Sequence, residues 1–135
     1  MTLHPDYPLP DTADPVMAPF WDGCRAGRLL VQRDRATGRV HWPPKPAYWK
    51  GGRLEWIEAS GRGEVYTYVV AYAPFLPAFA AQLPHILVVV QLEEGPRLVG
   101  YMVETTPQAM RFGLPVRVVF TRLTDDATLP VWAPA

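Results

Sequence analysis

The sequence predicts a mainly β fold, a five-stranded barrel preceded by a short helix and a small hairpin. Three observations predict it. Short runs rich in Val, Ile, Leu and Tyr recur between residues 64 and 132, parted by turns bearing Gly, Pro or Asp. Sixteen prolines in 135 residues leave little room for long helices, because each fixes φ and removes a backbone donor. A hydrophobic share of 49% against 19% charged residues marks a chain that folds around a core.

Residues 1–13 carry Pro5, Pro8 and Pro10 and read as an extended arm, with Tyr7 and Leu9 as anchors on a partner or else as a free tail. Asp14-Pro15 predicts an N-cap followed by proline at the first helical position. Met17, Phe20, Trp21 and Cys24 then share one face of a short helix ending near Gly27. Residues 28–33 and 39–42 read as a hairpin around the turn Asp34 to Gly38, closed by Pro43-Pro44-Lys45-Pro46. A loop of Gly and aromatics, 47–52, follows. The chain thus divides into an arm and helix (1–27), a hairpin unit (28–53) and a barrel (54–135).

Within the third unit, Leu54 to Glu58 leads to a turn or bulge at Ser60-Gly61-Arg62-Gly63. Strands are expected at 64–71, 86–92, 97–103, 116–123 and 129–132. The run Ile86 to Leu92 lacks alternation, as expected of a strand buried on both faces. Pro74 to Pro84 is a long apolar loop, and 105–114 an irregular crossover. A hairpin between the second and third strands and a crossover before the fourth suit a Greek-key OB barrel, although periodicity does not separate it from other small barrels.

Charge and cysteine content narrow the function. Thirteen basic residues balance thirteen acidic ones, whereas a dedicated nucleic-acid binder carries a basic surplus. Cys24 is the single cysteine, so neither an intrachain disulfide nor a four-thiolate zinc site can form. With no signal-like start and no apolar run near the roughly 20 residues of a membrane span, a soluble cytoplasmic protein is expected. No catalytic residues are assigned. Ser60, the only serine, sits in a turn; His4, His41 and His85 are scattered; Glu93-Glu94 and Asp125-Asp126 look like solvated turns. For His85 a loop-end imidazole bonded to backbone is expected, and for Cys24 a small buried side chain.

Several phrases, weak singly, are specific in their order. They are Phe20-Trp21, Gly27 to Arg33, Pro43-Pro44, Leu54-Glu55-Trp56, Ser60 to Tyr66, Gln91 to Leu98 and Gly113-Leu114-Pro115-Val116. Across residues 20–134 they resemble the acyl-CoA-associated OB-fold family, also called domain of unknown function thirty-five, which carries an N-terminal rubredoxin-like zinc ribbon. The resemblance implies that the hairpin unit is that ribbon. It places the family's four zinc cysteines at Asp34, Thr37, Ala47 and Lys50, none of which is cysteine. A degenerate, metal-free ribbon is therefore expected, with no zinc or other cofactor. Structural zinc contributes about 10 to 16 kcal/mol in small zinc-finger peptides, so something must replace it. An aromatic minicore of Trp42, Tyr48, Trp49 and Trp56 is the expected substitute.

The resemblance further implies a non-catalytic accessory or scaffold subunit. Its partner would be a thiolase-like or ketoacyl synthase-like protein (a thiolase, acyltransferase or aldolase), held in a hetero-oligomer that helps channel acyl-CoA. Lys45, Lys50, Arg53 and Arg62, at the join of ribbon and barrel, are the candidates for the CoA phosphates. Phe75, Leu76, Phe79 and Leu83, in the apolar loop, are the candidates for partner binding. Two other classes stay open: a single-stranded nucleic-acid module stacking bases on Tyr66, Tyr68, Tyr101 and Phe120, and a stand-alone enzyme of acyl-CoA or polyketide metabolism.

Overall fold

Strand pairing sorts the chain into two antiparallel sheets in a computed structural model that describes residues 3–135, apart from the side chain of Lys50. The first sheet begins behind a helix, α1 (Ala18–Arg25), which starts one turn later than the expected cap. The Asp14 carboxylate accepts the Val16 amide, and its carbonyl accepts those of Met17 and Ala18. Asp14 therefore caps the lead-in turn, and Pro19 takes the first-turn position where no donor is needed. The helix stops where the sequence predicts. Gly27 adopts a φ of 73°, donating to the Cys24 carbonyl while Arg28 donates to Gly23, a Schellman closure.

The three-stranded ribbon sheet has the order β2-β1-β3, from β1 (Leu30–Asp34), β2 (Val40–His41) and β3 (Leu54–Glu58). Residues 54–58 thus pair along the whole of β1, from Leu30 opposite Glu58 to Asp34 opposite Leu54. The barrel's own first strand starts at Arg62.

The second sheet has the order β6-β5-β4-β7-β8, from β4 (Arg62–Ala71), β5 (His85–Leu92), β6 (Arg97–Tyr101), β7 (Pro115–Arg122) and β8 (Thr128–Pro134). A register shift at Tyr66 bends β4. The edges meet where Met102 bridges in parallel to Trp132 and the Val103 amide donates to the Trp132 carbonyl at 2.7 Å. This five-stranded, nearly closed barrel is the OB-fold that the strand pattern suits.

One core serves both sheets. Phe20 and Cys24 of α1 and Leu29 and Val31 of the ribbon join Val65, Val88, Val90, Val116 and Trp132 of the barrel in a single buried cluster. No helix among the described residues is long and apolar enough to cross a membrane.

Three expectations are corrected. β5 alternates strictly, with Ile86, Val88, Val90 and Leu92 buried and His85, Leu87, Val89 and Gln91 only half-buried, so one of its faces lies outside the core. The aromatic minicore does not form as a unit. Trp42 and Trp56 pack on the core, Trp42 with its ring 4.7 Å from Phe20, but Tyr48 is 79% exposed and Trp49 43%. Their loop turns through Gly51 and Gly52, both at positive φ, and carries these two rings to the surface. His85 is held by rings, and among the described residues its imidazole has no backbone partner: it stacks on Phe79 at 5.6 Å and lies 5.1 Å from Tyr101.

Candidate docking surface

The period-2 geometry of the barrel strands puts Thr67 and Val69 of β4, Leu87 and Val89 of β5, and Val99 of β6 on one outer face. The ladder sets Val69 opposite Leu87 and Leu87 opposite Tyr101, and in the next row Thr67 opposite Val89 and Val89 opposite Val99. No charged side chain interrupts these two rows. Val69 is 60% exposed and Val99 77%, a cost that a sheet face turned permanently to water does not need to carry. Arg97 lies at the rim, its guanidinium 3.6 Å above the Tyr66 ring. An apolar centre with a polar rim is the anatomy of a protein interface.

The loop after β4 meets the end of this face, where Phe79 stacks on His85. Tyr72 and Phe75 are largely exposed and Leu76 nearly half exposed, so two of the four predicted partner residues stand free. The other two, Phe79 and Leu83, are half-buried. Phe79 meets the Tyr7 ring edge-on at 5.3 Å, so the N-terminal arm is anchored on its own barrel. Tyr7 is buried and Leu9 exposed. Burial, then the neighbouring Tyr7 hydroxyl, raises the Tyr101 phenol well above its usual range, and burial lowers the His85 imidazole.

The predicted cations occupy separate anchor points. The Lys45 amide donates to the Gln32 side chain at 2.7 Å, and its ammonium sits 5.6 Å from the centre of the Trp49 ring. Lys45 lines an open groove of about 540 Å³ with Gln32, Tyr48 and Trp56. Arg53 pairs with Asp34 at 3.0 Å. Arg62 pairs with Glu93 at 3.1 Å, and that hydrogen bond, followed by one from Ser60, holds the Glu93 carboxyl below its ordinary range. The Lys50 side chain lies outside the described residues.

Groups capable of catalysis are in structural use. The Ser60 hydroxyl accepts the Arg62 amide. Cys24 is 1% exposed, and burial pushes its thiol up to about 12, which removes the thiolate a nucleophile needs. Asp125 pairs with Arg122. Of the rings considered for base stacking, Tyr68 and Phe120 pack on the core and Tyr66, 50% exposed, carries the Arg97 guanidinium over its ring.

The ribbon's donor set does not fit zinc. Both Asp34 oxygens are engaged, by the Ala36 amide at 2.9 Å and by Arg53 at 3.0 Å. Among the described residues no group of three His, Cys, Asp or Glu side chains is placed to hold a metal ion.

Sequence reasoning missed the outer face because apolar residues on both sides of a strand look alike whether they meet a core or a partner. The available signal was the unbroken run Ile86 to Val90.

Comparison with known proteins agrees with this architecture. The profile of the ChsH2 rubredoxin-like zinc ribbon domain matches residues 21–47, and that of the ChsH2 C-terminal OB-fold domain residues 56–121. A 3-oxo-4,17-pregnadiene-20-carboxyl-CoA hydratase alpha subunit of Mycobacterium tuberculosis is 35% identical over 134 residues, 98% of this chain and 42% of that protein. The chain thus spans about two fifths of the length of that relative. A DUF35 domain-containing scaffold protein of Methanocaldococcus jannaschii is 35% identical over 102 residues, 73% of this chain and 71% of the relative. Among solved structures, the Ltp2-ChsH2(DUF35) aldolase superposes with a TM-score of 0.79 at 32% identity, covering 90% of this chain and 95% of the matched one. By its matched domains and by its relatives, the chain belongs to the DUF35 family, a ribbon joined to an OB-fold as in ChsH2.

Proposed function

We propose that this chain is a non-catalytic accessory subunit that docks a thiolase-superfamily enzyme on the outer β4–β5–β6 face and serves acyl-CoA chemistry carried out by that partner. The observation that carries the reading is the uncharged, half-exposed face centred on Val69, Leu87, Val89 and Val99. Phe75 and Tyr72 each offer about 150 to 250 Å² when fully exposed, which brings the patch toward the roughly 800 Å² per partner of a specific interface. The names of the relatives point the same way: one is a scaffold protein, and the superposed structure is an aldolase in which ChsH2(DUF35) accompanies Ltp2. The structural use of Ser60, Cys24 and the carboxylates supports leaving the chemistry to the partner. The lone, buried thiol suits a reducing cytoplasmic setting.

Within this reading Lys45 is the best-placed cation for a CoA phosphate, because its ammonium rests on a ring while Arg53 and Arg62 are held by carboxylates. Co-expression with thiolase-superfamily enzymes from the same host, followed by size-exclusion chromatography with light scattering, tests the proposal. A stoichiometric complex is expected with one of them. Elution of this chain alone in every case, at physiological salt, would refute it. Calorimetry of the complex with acetyl-CoA, with and without Lys45→Ala, tests the phosphate contact.

A further inference from the structure

We infer that a set of polar cross-links, led by the Asp34–Arg53 ion pair, closes the two loops of a domain that matches a zinc ribbon by its description. The hairpin turn and the segment 47–53 are joined three times. Arg53 donates to Asp34 Oδ2 at 3.0 Å, the Arg35 amide donates to the Arg53 carbonyl at 3.0 Å, and the Arg35 guanidinium donates to the Gly52 carbonyl at 3.1 Å. A fourth link ties β1 to the entry of the same loop. The Gln32 side chain accepts the Lys45 amide at 2.7 Å and donates to the Lys45 carbonyl at 3.0 Å.

These groups are built in, not decorative. Asp34 is 2% exposed and Gln32 3%, so each would be costly to bury without its partners. Asp34 also shapes its own turn. Its Oδ1 accepts the Ala36 amide, its carbonyl accepts the Gly38 amide at 2.7 Å, and its amide donates to the Arg39 carbonyl at 2.8 Å. One carboxylate thus organises the first loop and receives the second, two tasks that a bound ion performs by ligation. Arg53 is the exposed member, at 45%, so removing it takes a cation away from a buried carboxylate.

A ribbon closed this way keeps its shape without metal and without thiolates, and withstands chelators and thiol oxidants that open a zinc ribbon. The only thiol, Cys24, lies in the core and takes no part.

Metal content by mass spectrometry and amide hydrogen exchange, on the full chain, test the inference. The purified protein is expected to hold no stoichiometric zinc, and the Arg35 and Gly38 amides are expected to exchange at the same rate with and without EDTA. In Arg53→Met and in Asp34→Asn, exchange at these two amides is expected to rise at least tenfold, while the Val88 amide of the barrel is unchanged. The double variant is expected to exchange no faster than the faster single one, because both changes break the same link. Additive effects, or unchanged exchange in both single variants, would overturn the inference. Should the variants fail to fold, stoichiometric zinc or EDTA-sensitive exchange in the unmodified chain still overturns it.

Discussion

Val69 and Leu87 stand opposite each other across the β4–β5 ladder, on the side of the sheet that faces away from the core. Leu87 also stands opposite Tyr101 of β6, and the neighbouring row repeats the arrangement with Val89 and Val99. Apolar residues in register on three adjacent strands bury one another only in part. A second protein laid on them would complete the burial, and the water released would be a driving force for binding.

This arrangement predicts that Val99→Asp leaves the fold intact and damages the complex. Val99 is 77% exposed, so stability should change by no more than about 1 kcal/mol. A carboxylate desolvated at the centre of an interface should weaken partner binding at least tenfold, about 1.4 kcal/mol or more. Melting temperature and titration calorimetry separate the two effects. Undiminished affinity would remove Val99 from the interface.

The ring cluster of Tyr7, Phe79, His85 and Tyr101 predicts a pH dependence. Burial lowers the folded-state pKa of His85 below its ordinary 6.5, so the folded form favours the neutral imidazole. The corresponding stability is present above about pH 6.5 and is lost as the pH falls through the lower folded value. Melting temperatures measured between about pH 7.5 and pH 5 should fall more steeply for the native chain than for His85→Gln. Equal slopes would contradict the burial of His85.

Closure of the barrel predicts an intolerant glycine. A Cβ on Gly100 would lie 2.9 Å from Trp132 Cδ1 and 3.0 Å from Nε1, and Trp132 is 1% exposed with its carbonyl holding Val103. Gly100→Ala should cost about 1 to 3 kcal/mol in denaturant unfolding, as overpacking does. An unchanged midpoint would mean that the seam yields more readily than its packing implies.

Two tryptophans of the ribbon should behave differently. Trp42 packs on Phe20 and the shared core, so Trp42→Ala should cost about 2 to 4 kcal/mol. Trp49 is 43% exposed with the Lys45 ammonium over its ring, so Trp49→Ala should cost under about 1 kcal/mol. Equal losses would revive the aromatic minicore.

Much of the fold was legible because it is written in local chemistry. Gly27 ends α1 and Glu94-Gly95-Pro96 turns β5 into β6, and both follow from backbone preferences that a few adjacent residues fix. The site was legible only in part. The exposure of Phe75 and Leu76 could be anticipated because apolar residues in a proline-rich loop have no strand to hide in. The sheet face was read as buried, since the run Ile86 to Val90 carries no mark of what covers its second side. The ribbon's links were missed for another reason. Asp34 meets Arg53, and Gln32 meets Lys45, across sequence gaps of 19 and 13 residues with no periodic signature. A carboxylate at a position where the resembled family holds a metal ligand was the clue that it needed a cation.

Side-chain footprinting of the chain in complex with the proposed thiolase-superfamily enzyme tests the docking face most directly. Hydroxyl-radical labelling of Val69, Phe75, Leu76 and Val99 should drop several-fold on complex formation, with Phe112, 71% exposed, serving as the internal reference. A complex in which those four side chains are labelled as freely as in the isolated chain would show that the partner binds elsewhere.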